Sequence, residues 1–314
     1  MSMDKAEYSF STCWNIKRHT VGSEMIDEIK SLGFRQVELN YNVTEQLAST
    51  IEPMIERGEI GISSVHHVYP HLPGKDFDTD SLMLGYPDKE KRDRAVELLI
   101  RTVEYGVRYG SKGVVVHPGE VPFPHNIDQE LKGIYHAEGP QSSAYRELWN
   151  EMLAVRTKES PTYLQLIKES LEEVSNYIAS KQYDIGIGIE TRSRCYQIPT
   201  LQEADYIIDS LKGAPVYLWY DIGHGMMMER MGLYDNVNEA NRMKDRVLGV
   251  HIHETVGLSD HWCPYIHSGD ETYFDNFTAI IDAAPIKVYE LKDKCTPEEI
   301  HRSHNLITSK LGKG

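Results

Sequence analysis

Apolar residues fall along this chain in two alternating patterns. Short runs rich in β-branched residues are separated by longer stretches whose apolar positions recur every three or four residues. The short runs predict strands at Tyr8–Cys13, Gln36–Asn40, Ile60–Val65, Gly113–Val116, Ile185–Ile189, Val216–Trp219, Val247–Ile252 and Lys287–Leu291. The longer stretches predict helices at Glu24–Leu32, Thr44–Arg57, Asp88–Tyr109, Thr162–Lys181, Leu201–Leu211, Val237–Met243, Phe274–Ala283 and Pro297–Leu311. Val96, Leu99, Ile100, Val103 and Val107 make one such stripe. Thr44 stands where an N-cap is expected, Gly33 and Gly58 where helices stop, and Pro297 in a first turn. Only Pro118 to Pro161 breaks the rhythm; within it Ser143–Arg156 predicts a helix with Tyr145, Trp149, Met152 and Leu153 on one side.

Strand and helix thus alternate eight times with no charged linker or low-complexity segment between them. Such alternation implies a parallel sheet. Eight units in a chain of 314 residues favour closure. The expected fold is therefore an α/β (β/α)8 TIM barrel, one domain over residues 1–314, with a long insertion between the fourth strand and the fourth helix. An open doubly wound sheet is the alternative, but no glycine-rich phosphate loop follows the first strand.

A barrel gathers the C-terminal ends of its strands at one mouth. Those ends carry His66 and His67 (strand three), His117 (four), Glu190 (five), Asp221 with His224 a turn later (six), His251 and His253 (seven) and Glu290 (eight). In Tyr220-Asp221-Ile222-Gly223-His224-Gly225, glycines stand at what read as turning points beside a carboxylate and an imidazole. Alternation puts His66 and His67 on opposite faces, so only one can point inward. Each histidine also has an ordinary reading, as a hydrogen-bonded loop or helix-terminus residue. Glu190 beside Ile187 and Ile189, and Glu290 after Val288, have no structural purpose unless paired or bound to a metal.

Charge and cysteine content narrow the function classes. The net charge is −15 and no basic footprint is visible, which argues against nucleic acid as a partner. Cys13, Cys195, Cys263 and Cys295 are scattered, with no CxxC, as expected of a reducing compartment. Met1 to Ser9 lacks a basic stretch followed by an apolar run, and no segment approaches a membrane span. A cytoplasmic protein without membrane contacts is the expectation.

The strand-end residues resemble a known group. Ser64-Val65-His66, Val116-His117-Pro118-Gly119, Gly188-Ile189-Glu190-Thr191, Tyr220-Asp221-Ile222-Gly223-His224, Gly249-Val250-His251-Ile252-His253-Glu254 and Val288-Tyr289-Glu290 are similar to the xylose-isomerase-like TIM barrels. That superfamily includes sugar and sugar-phosphate isomerases and epimerases and the endonuclease IV type of apurinic endonucleases. Leu84-Gly85-Tyr86-Pro87 also looks like the family. Glu190-Thr191-Arg192, Gly257 to His261 and Arg146 to Pro161 are most similar to members grouped only as sugar isomerase/epimerase-like.

The resemblance implies a shared single-metal site at Glu190, Asp221, His251 and Glu290. It implies that His66 and His117 match the pair that holds a second ion in the nuclease branch. His224 matches a substrate contact in the epimerases and a third-ion ligand in the nucleases. That third site also needs Asp-x-His after strand seven; here Ser259-Asp260-His261 puts serine in the aspartate's place.

Mixed histidine and carboxylate ligands suit Zn²⁺, Mn²⁺ or Fe²⁺ better than Ca²⁺ or Mg²⁺. The leading expectation is isomerisation or epimerisation of a sugar-like small molecule through an enediolate, with Glu190 and Glu290 passing the proton. His224, Arg192, His253 and His261 are the candidate substrate contacts. Arg192 is expected at the rim, binding a substrate anion or a solvated carboxylate. The segment after strand four, with its Trp149 helix, reads as a lid or as a subunit contact in a homo-oligomer. The alternatives are a two- or three-metal phosphoester hydrolase of the apurinic endonuclease type and a non-catalytic barrel with a relic metal.

Overall fold

A computed structural model describes residues 5–270 and 272–311. Eight parallel strands close into a barrel: β1 (Ser9–Ser11), β2 (Gln36–Leu39), β3 (Gly61–His66), β4 (Gly113–Val116), β5 (Gly186–Glu190), β6 (Val216–Asp221), β7 (Val247–Ile252) and β8 (Ile286–Tyr289). Each pairs with its sequence neighbours, and β8 closes on β1. Around them lie α1 (Gly22–Ser31), α2 (Glu45–Glu56), α3 (Lys89–Arg108), α4 (Ile127–Glu138) and α5 (Ser143–Lys181). The second half adds α6 (Leu201–Ser210), α7 (Ile222–Met231), α8 (Asn236–Arg242), α9 (Thr278–Ala283) and α10 (Pro297–Lys310). The expected closed α/β barrel is the one observed.

Local chemistry fixes the helix ends. Thr44 accepts from the Leu47 amide, and Asp88 from the Lys91 amide. Thr200 with Glu203 and Thr296 with Glu299 make reciprocal capping boxes. α3 buries Ala95, Val96, Leu98, Leu99 and Val103 against the barrel wall.

The barrel interior is filled from below by Trp219, Val115, Ile286 and Val288. Trp219 takes most of the space, and Gly249 on β7 makes room for it: a Cβ there would lie 2.4 Å from the indole. Because strand side chains alternate, the residue two beyond each interior position faces the same axis at the mouth. Gly188 is followed by Glu190, Trp219 by Asp221, Gly249 by His251 and Val288 by Glu290.

Three sequence expectations are corrected. The segment Pro118 to Pro161 is not irregular: it holds α4 and the first half of α5, a 39-residue helix that continues through Pro161. Proline removes one helical hydrogen bond, but Arg156 and Ser160 before it and Leu164 and Ile167 after it are all buried, and their packing outweighs the break. The Trp149 face packs within the chain, against Ile127 and Leu131 of α4 and Met227, Met228 and Met231 of α7. It is therefore neither a free lid nor a free surface for a second subunit. Finally, Gly223 and Gly225 do not turn the chain. They lie in α7, which starts directly after Asp221. Gly223 is a close-approach position, where a Cβ would sit 2.1 Å from the His253 ring.

Candidate metal and substrate site

His251 is the centre of the site. It pairs in register with Asp221 on the next strand and is fully buried. Its Nδ1 faces Glu190 Oε1 and Glu290 Oε2, both at 3.1 Å, and Asp221 Oδ2 at 3.4 Å. Its Nε2 faces both oxygens of Glu38 at 3.1 Å. Glu38 is itself buried and accepts from Ser64 Oγ at 2.8 Å. Such a carboxylate fixes the Nε2–H tautomer and turns Nδ1 toward the other three acids. Glu38 is a residue the sequence reading missed. The signal was there: a carboxylate between Val37 and Leu39 is as anomalous as Glu190 or Glu290.

The buried groups at this centre shift one another's ionisation. Burial opposes charge on His251, yet Glu290, Glu38 and Glu190 outweigh it and hold the imidazole well above its ordinary pKa. Burial pushes the Glu290 carboxyl well up; His251 pulls it back, and Glu190, Glu38 and Asp221 add to the rise. Burial also opposes ionisation of Glu190, but His117 and His251 hold it well below the usual carboxylate range. Glu190, Asp221, His251 and Glu290 each offer a ligand atom within 4.8 Å of the others. One nitrogen and three carboxylates fit a zinc, manganese or iron ion.

A second donor set lies on the other side of Glu190. His66 Nε2 and His117 Nε2 stand 3.2 Å and 2.6 Å from Glu190 Oε2. His67, on the opposite face of β3 as alternation requires, bonds Thr102 Oγ1 of α3 at 2.9 Å. Arg192 enters this set. It is buried rather than at the rim, with Nη1 on His117 Nε2 and Nη2 donating to Asp80. The expected rim position or solvated salt bridge is thus replaced by a buried ion pair, because the β3–α3 loop brings Asp80 over the mouth. Burial opposes ionisation of Asp80, but Arg192, His117 and Arg194 keep its carboxyl well below the usual range.

On the far side, Asp221 does two jobs. Its Oδ1 caps α7 by accepting from the His224 amide at 2.7 Å, and it accepts from His253 Nε2. The His261 amide donates to His253 Nδ1 at 2.9 Å, so the His253 proton must sit on Nε2. Both nitrogens of His253 are thereby occupied. Although His224, His253 and His261 come within ligand range of one another, His253 has no free lone pair there. His253 braces Asp221 from behind and does not line the cavity. His224 Nδ1 faces the Thr191 carbonyl at 3.1 Å, which leaves Nε2 toward Asp260, 3.8 Å away. Ser259, at the aspartate's place, turns outward and accepts from Lys292 and Trp262.

These groups line a cavity of about 90 Å³ bounded by Tyr41, His66, Asp80, His117, Glu190, Arg192, His224, Asp260, His261 and Glu290. It adjoins a hollow of about 190 Å³, also lined by Tyr41, His261 and Glu290, with Lys17 and Lys292 at its wall. No residue of 118–161 lines either. A larger open groove beside the start of α3 is walled by exposed ion pairs such as Lys89–Asp93 and gathers no comparable chemistry.

A closed barrel of eight parallel strands with a histidine–carboxylate cluster at its mouth defines a TIM barrel. Residues 26–304 match the family model described as xylose isomerase-like TIM barrel, and the chain belongs to that family. No curated protein matches the sequence. Among solved structures, 3-keto-D-glucoside 4-epimerase from E. coli is similar over 97% of this chain and all of that one, at 16% identity and TM-score 0.66. A D-allulose 3-epimerase from Methylomonas sp. covers 98% of each chain at 15% identity and TM-score 0.63. An L-ribulose 3-epimerase covers 95% of this chain and 86% of its own at 13% identity and TM-score 0.60. At these identities the likeness establishes the fold.

Proposed function

We propose that the protein is a divalent-metal-dependent isomerase or epimerase of a small sugar or sugar phosphate, acting as a single barrel domain. The observation that carries this reading is the pair Glu190 and Glu290. They come from β5 and from the end of β8, face the same His251 nitrogen, and line one cavity. The names of the three similar structures given above, each a sugar epimerase, support the substrate class. The net charge of −15 supports a small-molecule substrate over nucleic acid, and the scattered cysteines support a cytoplasmic location.

Glu190, Asp221, His251 and Glu290 would hold the ion, with Zn²⁺ and Mn²⁺ the leading candidates and Fe²⁺ a third. When bound, it supplies Lewis-acid stabilisation of negative charge developing on adjacent substrate oxygens. The proton moves through the protein. From β5 and the end of β8, one carboxylate can remove a carbon-bound proton and the other return it across the enediolate. His224 Nε2 would accept from a substrate hydroxyl, with Asp260 and His261 on the same wall.

The test is a metal-supplemented screen of ketoses, aldoses and their phosphates in deuterium oxide. The expected result is deuterium at the carbon-bound position of a substrate. Glu290→Gln should lower that exchange by roughly two to four orders of magnitude, the range of a lost acid–base group. No exchange with any sugar would sink the reading. A phosphoester hydrolase is the second reading, favoured by the His66–His117–Glu190 donor set. Cleavage of abasic DNA, lost in Glu190→Gln, would put it first.

A further inference from the structure

The donor set of His66, His117 and Glu190 already has a cation in it. We propose that the guanidinium of Arg192 stands in for a second metal ion there and so holds this centre to one ion per chain. The inference deepens the single-ion reading of the site and rests on the same donor geometry.

The argument starts from where protons must be. His66 Nδ1 lies 3.0 Å from the His67 carbonyl, which only accepts, so the His66 proton is on Nδ1. His117 Nδ1 faces Asp80 Oδ1 at 3.3 Å and Thr79 Oγ1 at 3.2 Å, which likewise calls for a proton on Nδ1. Both Nε2 atoms are then acceptors, and both point at Glu190 Oε2. Three lone pairs converging in a buried space repel one another unless a positive donor lies among them.

Arg192 supplies that donor. Its Nη1 is on His117 Nε2 and 3.5 Å from Glu190 Oε2. The guanidinium cannot be deprotonated in a protein, so the charge is permanent. Its position is fixed from behind. Nη2 donates to Asp80, and Asp80 is also held by Arg194 at 3.3 Å and by Gln197 Nε2 at 3.3 Å. A divalent ion at this place needs the His117 lone pair at about 2.0–2.1 Å. Nη1 already uses that lone pair, and the ion would sit against a fixed positive charge. The set around His251 differs. Among the described ion pairs, Asp221, His251 and Glu290 meet no lysine or arginine, and only Glu190, shared by the two sets, lies near Arg192.

The test is a count of ions. The protein, purified without chelators, is titrated with Zn²⁺ or Mn²⁺, and bound metal per chain is measured by elemental mass spectrometry after gel filtration. We expect one ion for the native chain and for Arg192→Lys, and two for Arg192→Met. The second ion should vanish again in Arg192→Met combined with His117→Gln. Two ions on the native chain at saturation would overturn the proposal with no variant needed, and so would a folded Arg192→Met that stays at one. The count is independent of turnover. One ion per chain with no sugar exchange would defeat the isomerase reading and leave the role of Arg192 standing.

Discussion

His251 shows how much one side chain depends on its neighbours. Its Nε2 is tied to Glu38, and only that bond presents Nδ1 to Glu190, Asp221 and Glu290. Partners of this kind typically matter 10–100-fold in metal affinity. Glu38→Gln keeps the shape but can offer Nε2 an amide N–H as readily as an oxygen. It should weaken Zn²⁺ binding by about 10–100-fold in a competition titration. An unchanged affinity would mean that the tautomer is set by something other than Glu38. Asp221 is braced in the same way, by the α7 amide it caps and by His253 behind it.

At the scale of elements, the barrel wall and the site are one construction. Trp219 fills the interior beneath the mouth, and the side chain two residues later on β6 is Asp221. Gly249→Ala would push a methyl into the indole at 2.4 Å, with Gly188 on the far side leaving the ring little retreat. Overpacking of this kind costs about 1–3 kcal/mol. The urea midpoint should fall accordingly; no fall would show spare room inside the barrel. α5 makes the complementary point. Its passage through Pro161 is held by contacts on both sides, including the buried Arg156 pair with Glu203.

The whole molecule carries a pH dependence away from the site. His304 on α10 is buried, with Nδ1 facing the Tyr289 hydroxyl at 2.9 Å. Burial, with Lys5 and His301 nearby, pushes its pKa down to about 4, below the ordinary imidazole range. The unfolded chain therefore binds a proton here at a pH where the folded chain does not. This contribution to stability is complete above about pH 6.5 and is lost as the pH falls toward 4. Urea midpoints should drop between pH 7 and pH 5, and the drop should be smaller in His304→Gln. An identical drop in that variant would assign the effect to other groups. No helix among the described residues is long and apolar enough to cross a membrane.

The sequence by itself determined the eightfold alternation, the closed barrel and the ends of its strands. Strand periodicity is local, so knowing that Gly188 and Val288 face the axis is enough to aim Glu190 and Glu290 at the mouth. The partners of those side chains were not legible in the same way. Glu38 meets His251 across 213 residues, and Arg192 meets Asp80 across 112. No local period connects such positions; only the closed barrel and its loops bring them together. For that reason the tertiary structure alone decided that Arg192 is buried, that His253 stands behind Asp221, and that the helix carrying Trp149 packs on α7 instead of covering the site.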